Sequence, residues 1–209
     1  MTTSAESTAR RTLKSLARGV AFVLILPALL TFRLQSAIVG RNRSLEDHSE
    51  LMSLLPGLPG RYLRRAFLAC VLDECHASAS IGFGALFSKV GARIGANVYI
   101  GPRCHIGLVT IERDALLAAG VHATSGARTH GTDDPSQPIR DQEGTETRVV
   151  IGAGAWIGSA AIVMSDVGAN TVVGAGAVVT NPLPDGVIAA GVPARIIRER
   201  ATGSRPSVE

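Results

Sequence analysis

The sequence predicts a mainly β chain: a parallel β-helix over residues 81–200, an α-helical extension before it over 1–80, a short helix at its C-terminal end and a tail over 201–209. Three observations carry this. Ile94, Ile100 and Ile106 lie six apart, and the period returns at Ile151, Ile157 and Val163 and again at Val167, Val173 and Val179. Glycine follows the aliphatic residue at a fixed phase, as at Gly95, Gly101, Gly152, Gly158 and Gly174. Aromatics are only 4% of the chain, whereas 23 of 209 residues are glycine, above the ~7% of ordinary proteins. Alternating strands repeat every two residues and helices every 3.6, so neither produces a period of six. A coil that stacks each aliphatic residue on its neighbour's, with a small residue at the bend, does. Val98 and Cys104 are then spacers inside the core.

The extension reads as helices. Residues 1–9 have no apolar pattern and are expected to fray. Basic residues from Arg10 to Arg18 precede an apolar run, Val20–Leu30 extended by Phe32, that Pro27 interrupts. As one helix this run would rise about 20 Å, short of the roughly 30 Å hydrocarbon core of a bilayer. Three readings stay open: a retained segment at a membrane interface, a helix packed on the rest of the protein, or a signal peptide. Ser44 and Asp47 predict a capping box for a helix that Pro56 stops. Pro56-Gly57-Leu58-Pro59-Gly60 reads as a turn. The next helix is amphipathic, with Leu63, Phe67, Cys70 and Val71 on one stripe and Arg61, Arg64 and Arg65 off it. Such a basic face suits either anionic lipid or plain solvation at the end of the next domain.

The repeat breaks in informative places. Ile106 to Ile111 is five residues, and Ile157 to Val167 is ten where two hexads would need twelve. The largest interruption is a polar stretch over 125–148 that carries Pro135, Pro138 and His130, and a loop leaving a rigid scaffold is where function concentrates. Charge is uneven as well: residues 1–65 carry +6 and the remaining 144 carry −2. Three cysteines without a CxxC suggest neither a disulfide framework nor a cysteine zinc site. The glycines of Val172-Val-Gly-Ala-Gly-Ala-Val are explained by the hexad phase, so they make no nucleotide loop.

Four segments in order resemble a known family: His130 in its loop, Val150-Ile-Gly-Ala-Gly-Ala-Trp-Ile-Gly-Ser, Val172-Val-Gly-Ala-Gly-Ala-Val-Val-Thr, and Ala190-Gly-Val-Pro-Ala-Arg-Ile-Ile. They are similar to the hexapeptide-repeat acyltransferases, in the branch of the maltose and galactoside O-acetyltransferases. The resemblance covers about residues 81–200. It implies a left-handed β-helix, a homotrimer with active sites between subunits, and acetyl-CoA as co-substrate with a sugar acceptor. By position, His130 corresponds to the general base and the Ser159 N–H to the donor that holds the oxyanion. Trp156 corresponds to a wall beside the pantetheine, which also runs along Ser159, Ala160, Ala175, Ala177 and Thr180. Arg195 and Arg198 match basic residues near the CoA phosphates. Arg103, beside Cys104 and His105, stands where relatives carry an acceptor-side Asn, so Arg103 and His105 are the substrate candidates. Asn181 stands where many relatives have Lys.

Other functions fit less well. His105, His122 and His130 are 17 and 8 apart, unlike the ligands of zinc β-helices, and no metal is expected. A non-enzymatic membrane scaffold leaves His130 without a role, and a basic region poor in aromatics does not suit nucleic acid. The expectation is acetyl transfer from acetyl-CoA to a sugar hydroxyl of a cell-surface polysaccharide or glycolipid precursor. The alternative acceptor is an amino or nucleotide sugar. Cytosolic acetyl-CoA points to the cytoplasm, with residues 10–75 against the inner face of the cytoplasmic membrane.

Overall fold

The computed structural model describes residue 12 and residues 15–200. The expected frayed start over 1–9, the basic residues Arg10, Arg11 and Lys14, and the tail over 201–209 lie outside the described residues. Most of the chain from Glu74 onward is a left-handed parallel β-helix of about six turns, with strands of two to four residues on three flat sides.

The first side holds Glu74–Cys75, Arg93–Ile94, Val109–Ile111 and Val149–Ile151, continued by single bridges at Val167 and Leu183. The second holds Ser80–Ile81, Tyr99–Ile100, Leu116–Leu117, Trp156–Ile157, Val172–Val173 and Val187–Ala190. The third holds Leu86–Phe87, His105–Ile106, His122–Ala123, Ile162–Val163 and Val178–Val179. Strand register stacks Ile81, Ile100, Leu117, Ile157, Val173 and Ala189 in one buried column. Val98 and Cys104 are buried spacers as predicted, and the Cys104 thiol donates to the Ala118 carbonyl at 3.1 Å. Glycine sits where coils touch: a Cβ on Gly101 would lie 2.6 Å from the Ala118 carbonyl carbon. The coil is shortened between Val163 and Val167, where the register broke in the sequence.

The predicted C-terminal helix is instead a strand, Arg195–Glu199, antiparallel to Val187–Ala190. A turn at Gly191, with φ +101°, folds the chain back on the last coil. The strand, with β-branched Ile196 and Ile197, pairs with an open sheet edge and so satisfies backbone groups without a helix.

Four helices precede the solenoid: α1 (Ser15–Leu24), α2 (Leu26–Val39), α3 (Arg41–Ser53) and α4 (Gly57–Val71). Pro27, in the first turn of α2, separates α1 from α2 and their axes bend by 46°. No single helix among the described residues is long and apolar enough to cross a membrane. Three helical expectations need correction. Ser44 is no cap; α3 starts at Arg41, and the buried Ser44 hydroxyl donates to the Phe32 carbonyl at 3.0 Å. Residues 57–60 form the first turn of α4, because Pro59 fits where no N–H partner is required. Arg64 is buried, donating to the carbonyls of Ile81 (3.2 Å), Met52 (3.3 Å) and Leu55 (2.5 Å). Phe32, His48 and Phe67 pack their rings 5.7–5.9 Å apart beneath these contacts. The Phe87 N–H donates to Ser49 Oγ at 2.8 Å, pinning α3 to the third side of the solenoid.

Candidate active site

The extruded loop leaves the third side after His122–Ala123 and returns to the first side at Val149. It is held in shape: the Thr145 N–H donates to the Arg128 carbonyl at 2.7 Å, and Gln142 exchanges hydrogen bonds with the Asp134 backbone at 2.7 and 3.1 Å. The Ser136 hydroxyl and N–H both donate to the Asp134 carboxylate and hold its pKa below the usual range. Lys89 pairs with Glu146, tying the loop to the solenoid. On this frame His130 is exposed, and its imidazole makes no hydrogen bond with the described residues.

At the foot of the loop lies a cavity of about 420 Å³. Arg43, Glu46 and Glu50 reach it from α3, His105 and His122 from the third side, and Thr124 and Ser125 from the loop's departure point. His105 and His122 occupy one register position on adjacent coils, so their rings stack with centroids 4.5 Å apart. Burial, and then the neighbouring His122, push the His105 pKa below its ordinary value, since two close imidazolium ions repel. The result is a pocket with imidazole, carboxylate, guanidinium and hydroxyl groups converging, a lining suited to a ligand with many hydroxyls.

The other candidates lie elsewhere. Trp156 faces outward from the second side, half exposed between Leu116 and Val172. Ser159, Ala160 and Ala175 form exposed corners between the second and third sides on successive coils, with the Gly176 N–H donating to the Ser159 carbonyl at 2.8 Å. The Ser159 N–H has no partner among the described residues, as an oxyanion donor requires. Thr180 is exposed one side further on, and Arg195 and Arg198 are exposed on the terminal strand without a carboxylate partner among the described residues. Ala177 needs correction: its methyl is fully buried as a core spacer and its N–H bonds to Gly174, so it offers a ligand nothing. Arg103 occupies a corner at φ +57°, outside the cavity that holds His105.

Sequence reasoning missed His122, Arg43, Glu46 and Glu50. His122 was findable: the coil from Ile94 to Ile111 has 17 residues, and so does the interval from His105 to His122. The α3 residues carried no such signal, because helix docking follows no repeat.

No family model matches the chain. Curated relatives do. The galactoside O-acetyltransferase of Escherichia coli K12 is 30% identical over 169 residues, covering 68% of this chain and 81% of that one. The putative lipopolysaccharide biosynthesis O-acetyl transferase WbbJ of the same organism is 36% identical over 143 residues, covering 57% and 72%. A solved galactoside acetyltransferase in complex with coenzyme A shares the fold at a TM-score of 0.57 and 22% identity, covering 78% of this chain and 84% of that one.

Proposed function

The chain belongs to the hexapeptide-repeat acetyltransferases, in the sugar O-acetyltransferase branch, and we propose that it moves the acetyl group of acetyl-CoA onto a hydroxyl of a cell-surface polysaccharide or glycolipid precursor. The observation that carries this reading is the coupling of loop and cavity. The loop bearing His130 springs from Thr124 and Ser125, which also line the polar cavity of His105, His122, Glu46 and Glu50.

In the proposed reaction His130 takes the proton of the acceptor hydroxyl as its oxygen attacks the thioester carbonyl carbon. Imidazole suits that transfer near neutral pH and should contribute ~10²–10⁴ in rate. The oxygen of the tetrahedral intermediate gains negative charge and accepts from the Ser159 N–H, a contact worth about 3–4 kcal/mol. Collapse breaks the C–S bond, and the leaving thiolate takes the proton back from His130. The cavity beside α3 is the acceptor's pocket, with Glu46, Glu50 and His105 meeting its other hydroxyls. Arg195 and Arg198 face the CoA phosphates.

On one chain, Ser159 lies at the corner between the second and third sides, while the loop leaves from the corner between the third and first. A loop from one copy meeting the Ser159 corner of another brings the two together, which supports a homotrimer with sites between subunits. The extension over residues 10–75 holds the enzyme at the cytoplasmic face of the inner membrane, near glycolipid acceptors. The test is thiol release from acetyl-CoA against a panel of sugars, nucleotide sugars and glycolipid extracts. Acceptor-dependent release supports the proposal; no release from any acceptor, with no acetyl-CoA binding by calorimetry, overturns it.

A further inference from the structure

The seven ion pairs among the described residues leave Arg18, Arg61 and Arg65 without a carboxylate. These three arginines line one cavity of about 300 Å³, between the start of α1, the outer face of α4 and the first solenoid corner at Ala77–Ser80. No acidic residue among the described residues lines it. Three arginines around one cavity, none with a carboxylate partner, offer several guanidinium N–H donors to a bound anion.

Leu58 and Tyr62 form part of that cavity and also part of a second one, an apolar groove of about 390 Å³ between α1 and α4. Leu16, Val20, Leu24 and Leu63 make up much of its wall. A cationic head pocket therefore opens into a hydrocarbon channel. The apolar surface continues past the groove along α1 and α2: Phe22, Val23, Leu26, Leu30 and Leu34 are exposed, and Ile38 is 84% exposed. The opposite face of the same helices is occupied, since Ala21, Ile25 and Phe32 are buried in the protein core. Together the two helices have the length and composition of a broken span, bent by 46°, but with one face held in the protein core and the other bare they suit a segment lying in an interface.

We propose that the Arg18–Arg61–Arg65 pocket takes the phosphate of an anionic bilayer phospholipid, whose acyl chain lies along Leu16, Val20 and Leu24 while the rest of the α1–α2 face rests among neighbouring lipids. The occupant is a bilayer lipid rather than a single carried lipid, because the bare face extends well beyond what one chain covers. The proposal deepens the membrane placement above and rests on it. It also orients the molecule: the first coil and α4 face the bilayer, and the later coils stand away from it.

The experiment is co-sedimentation of the full chain with phosphatidylcholine vesicles, with and without phosphatidylglycerol. Wild type should bind the anionic vesicles at least tenfold tighter. The triple variant Arg18→Gln/Arg61→Gln/Arg65→Gln should lose on the order of a hundredfold of that affinity, from roughly a fivefold contribution per surface arginine. Its thermal melting, and its thiol release with a soluble sugar acceptor, should match wild type, which separates this idea from the enzymatic one. Arg128→Gln, on the distant loop, should bind as wild type does. Equal binding by the triple variant overturns the pocket even if membrane attachment survives. Equal affinity for both vesicle types, equal loss in Arg128→Gln, or full displacement by millimolar glycerol phosphate would each do the same.

Discussion

The solenoid and the helical segment bury different kinds of residue. In the solenoid, Ile81, Ile100, Leu117, Ile157 and Val173 stack by register, and the column repeats one contact coil after coil. In the helices, Arg64, Ser44 and His48 hold core positions while Leu30, Leu34 and Ile38 face outward. A repeated contact can be recognised from its period, because every coil restates the same steric rule. A contact made once, such as Arg64 gathering three carbonyls, obeys no pattern a sequence can display.

The sharpest way to break the comparison is to damage each region by its own rule. Ile100→Ala empties a place in the stacked column and should cost about 2–5 kcal/mol in denaturant unfolding. A loss under 1 kcal/mol would mean that the column does not carry the solenoid. Arg64→Ala removes the guanidinium donors to the carbonyls of Ile81, Met52 and Leu55 and should cost about 2–3 kcal/mol, although it removes a charge rather than a hydrophobe. Arg64→Lys should recover only part of this, since an ammonium cannot reach three divergent carbonyls. Full recovery would show that charge alone matters there. Gly186→Ala isolates backbone strain, because φ is +68° and open space surrounds the new methyl; about 1–2 kcal/mol is expected.

The smallest effect sharpens the site rather than the core. The His105 pKa is lowered in the folded state, so the unfolded chain binds the proton more readily. Stability from this group is therefore present above the ordinary histidine pKa of about 6.5 and is lost as pH falls through the depressed folded value. Melting curves should show a slight extra loss of stability below about pH 6.5, within the histidine range. The loss should shrink in His122→Gln, which removes the facing charge. An unchanged pH profile in that variant would mean the stacked pair does not couple.

How much was legible follows the same division. The hexad phase predicted the buried aliphatic column, the Cys104 spacer, the shortened coil and the extruded loop, because each is a statement about register. The terminal helix was misread because Arg195–Glu199 is decided by an open sheet edge beside it, a partner with no trace in the local pattern. Ser44 was misread for a related reason: a hydroxyl three residues ahead of an acid suits a cap, yet here it meets the Phe32 carbonyl from another helix. Among the candidate site residues, His130 stood out in the sequence as part of a polar interruption and Ser159 as part of a motif. Ala177 was carried along by the motif although its phase in the hexad already placed it inside. The α3 side of the cavity, Arg43, Glu46 and Glu50, depends on a docking angle fixed by Ser49 and Arg64.

In the proposed reaction the solenoid is the platform for a base-assisted acetyl transfer in which His130 removes the hydroxyl proton. Its most direct test is the turnover of His130→Ala at saturating acceptor, beside calorimetric affinity for acetyl-CoA. The account predicts a fall in kcat of ~10²–10⁴ with affinity unchanged. Wild-type turnover in the variant would contradict it.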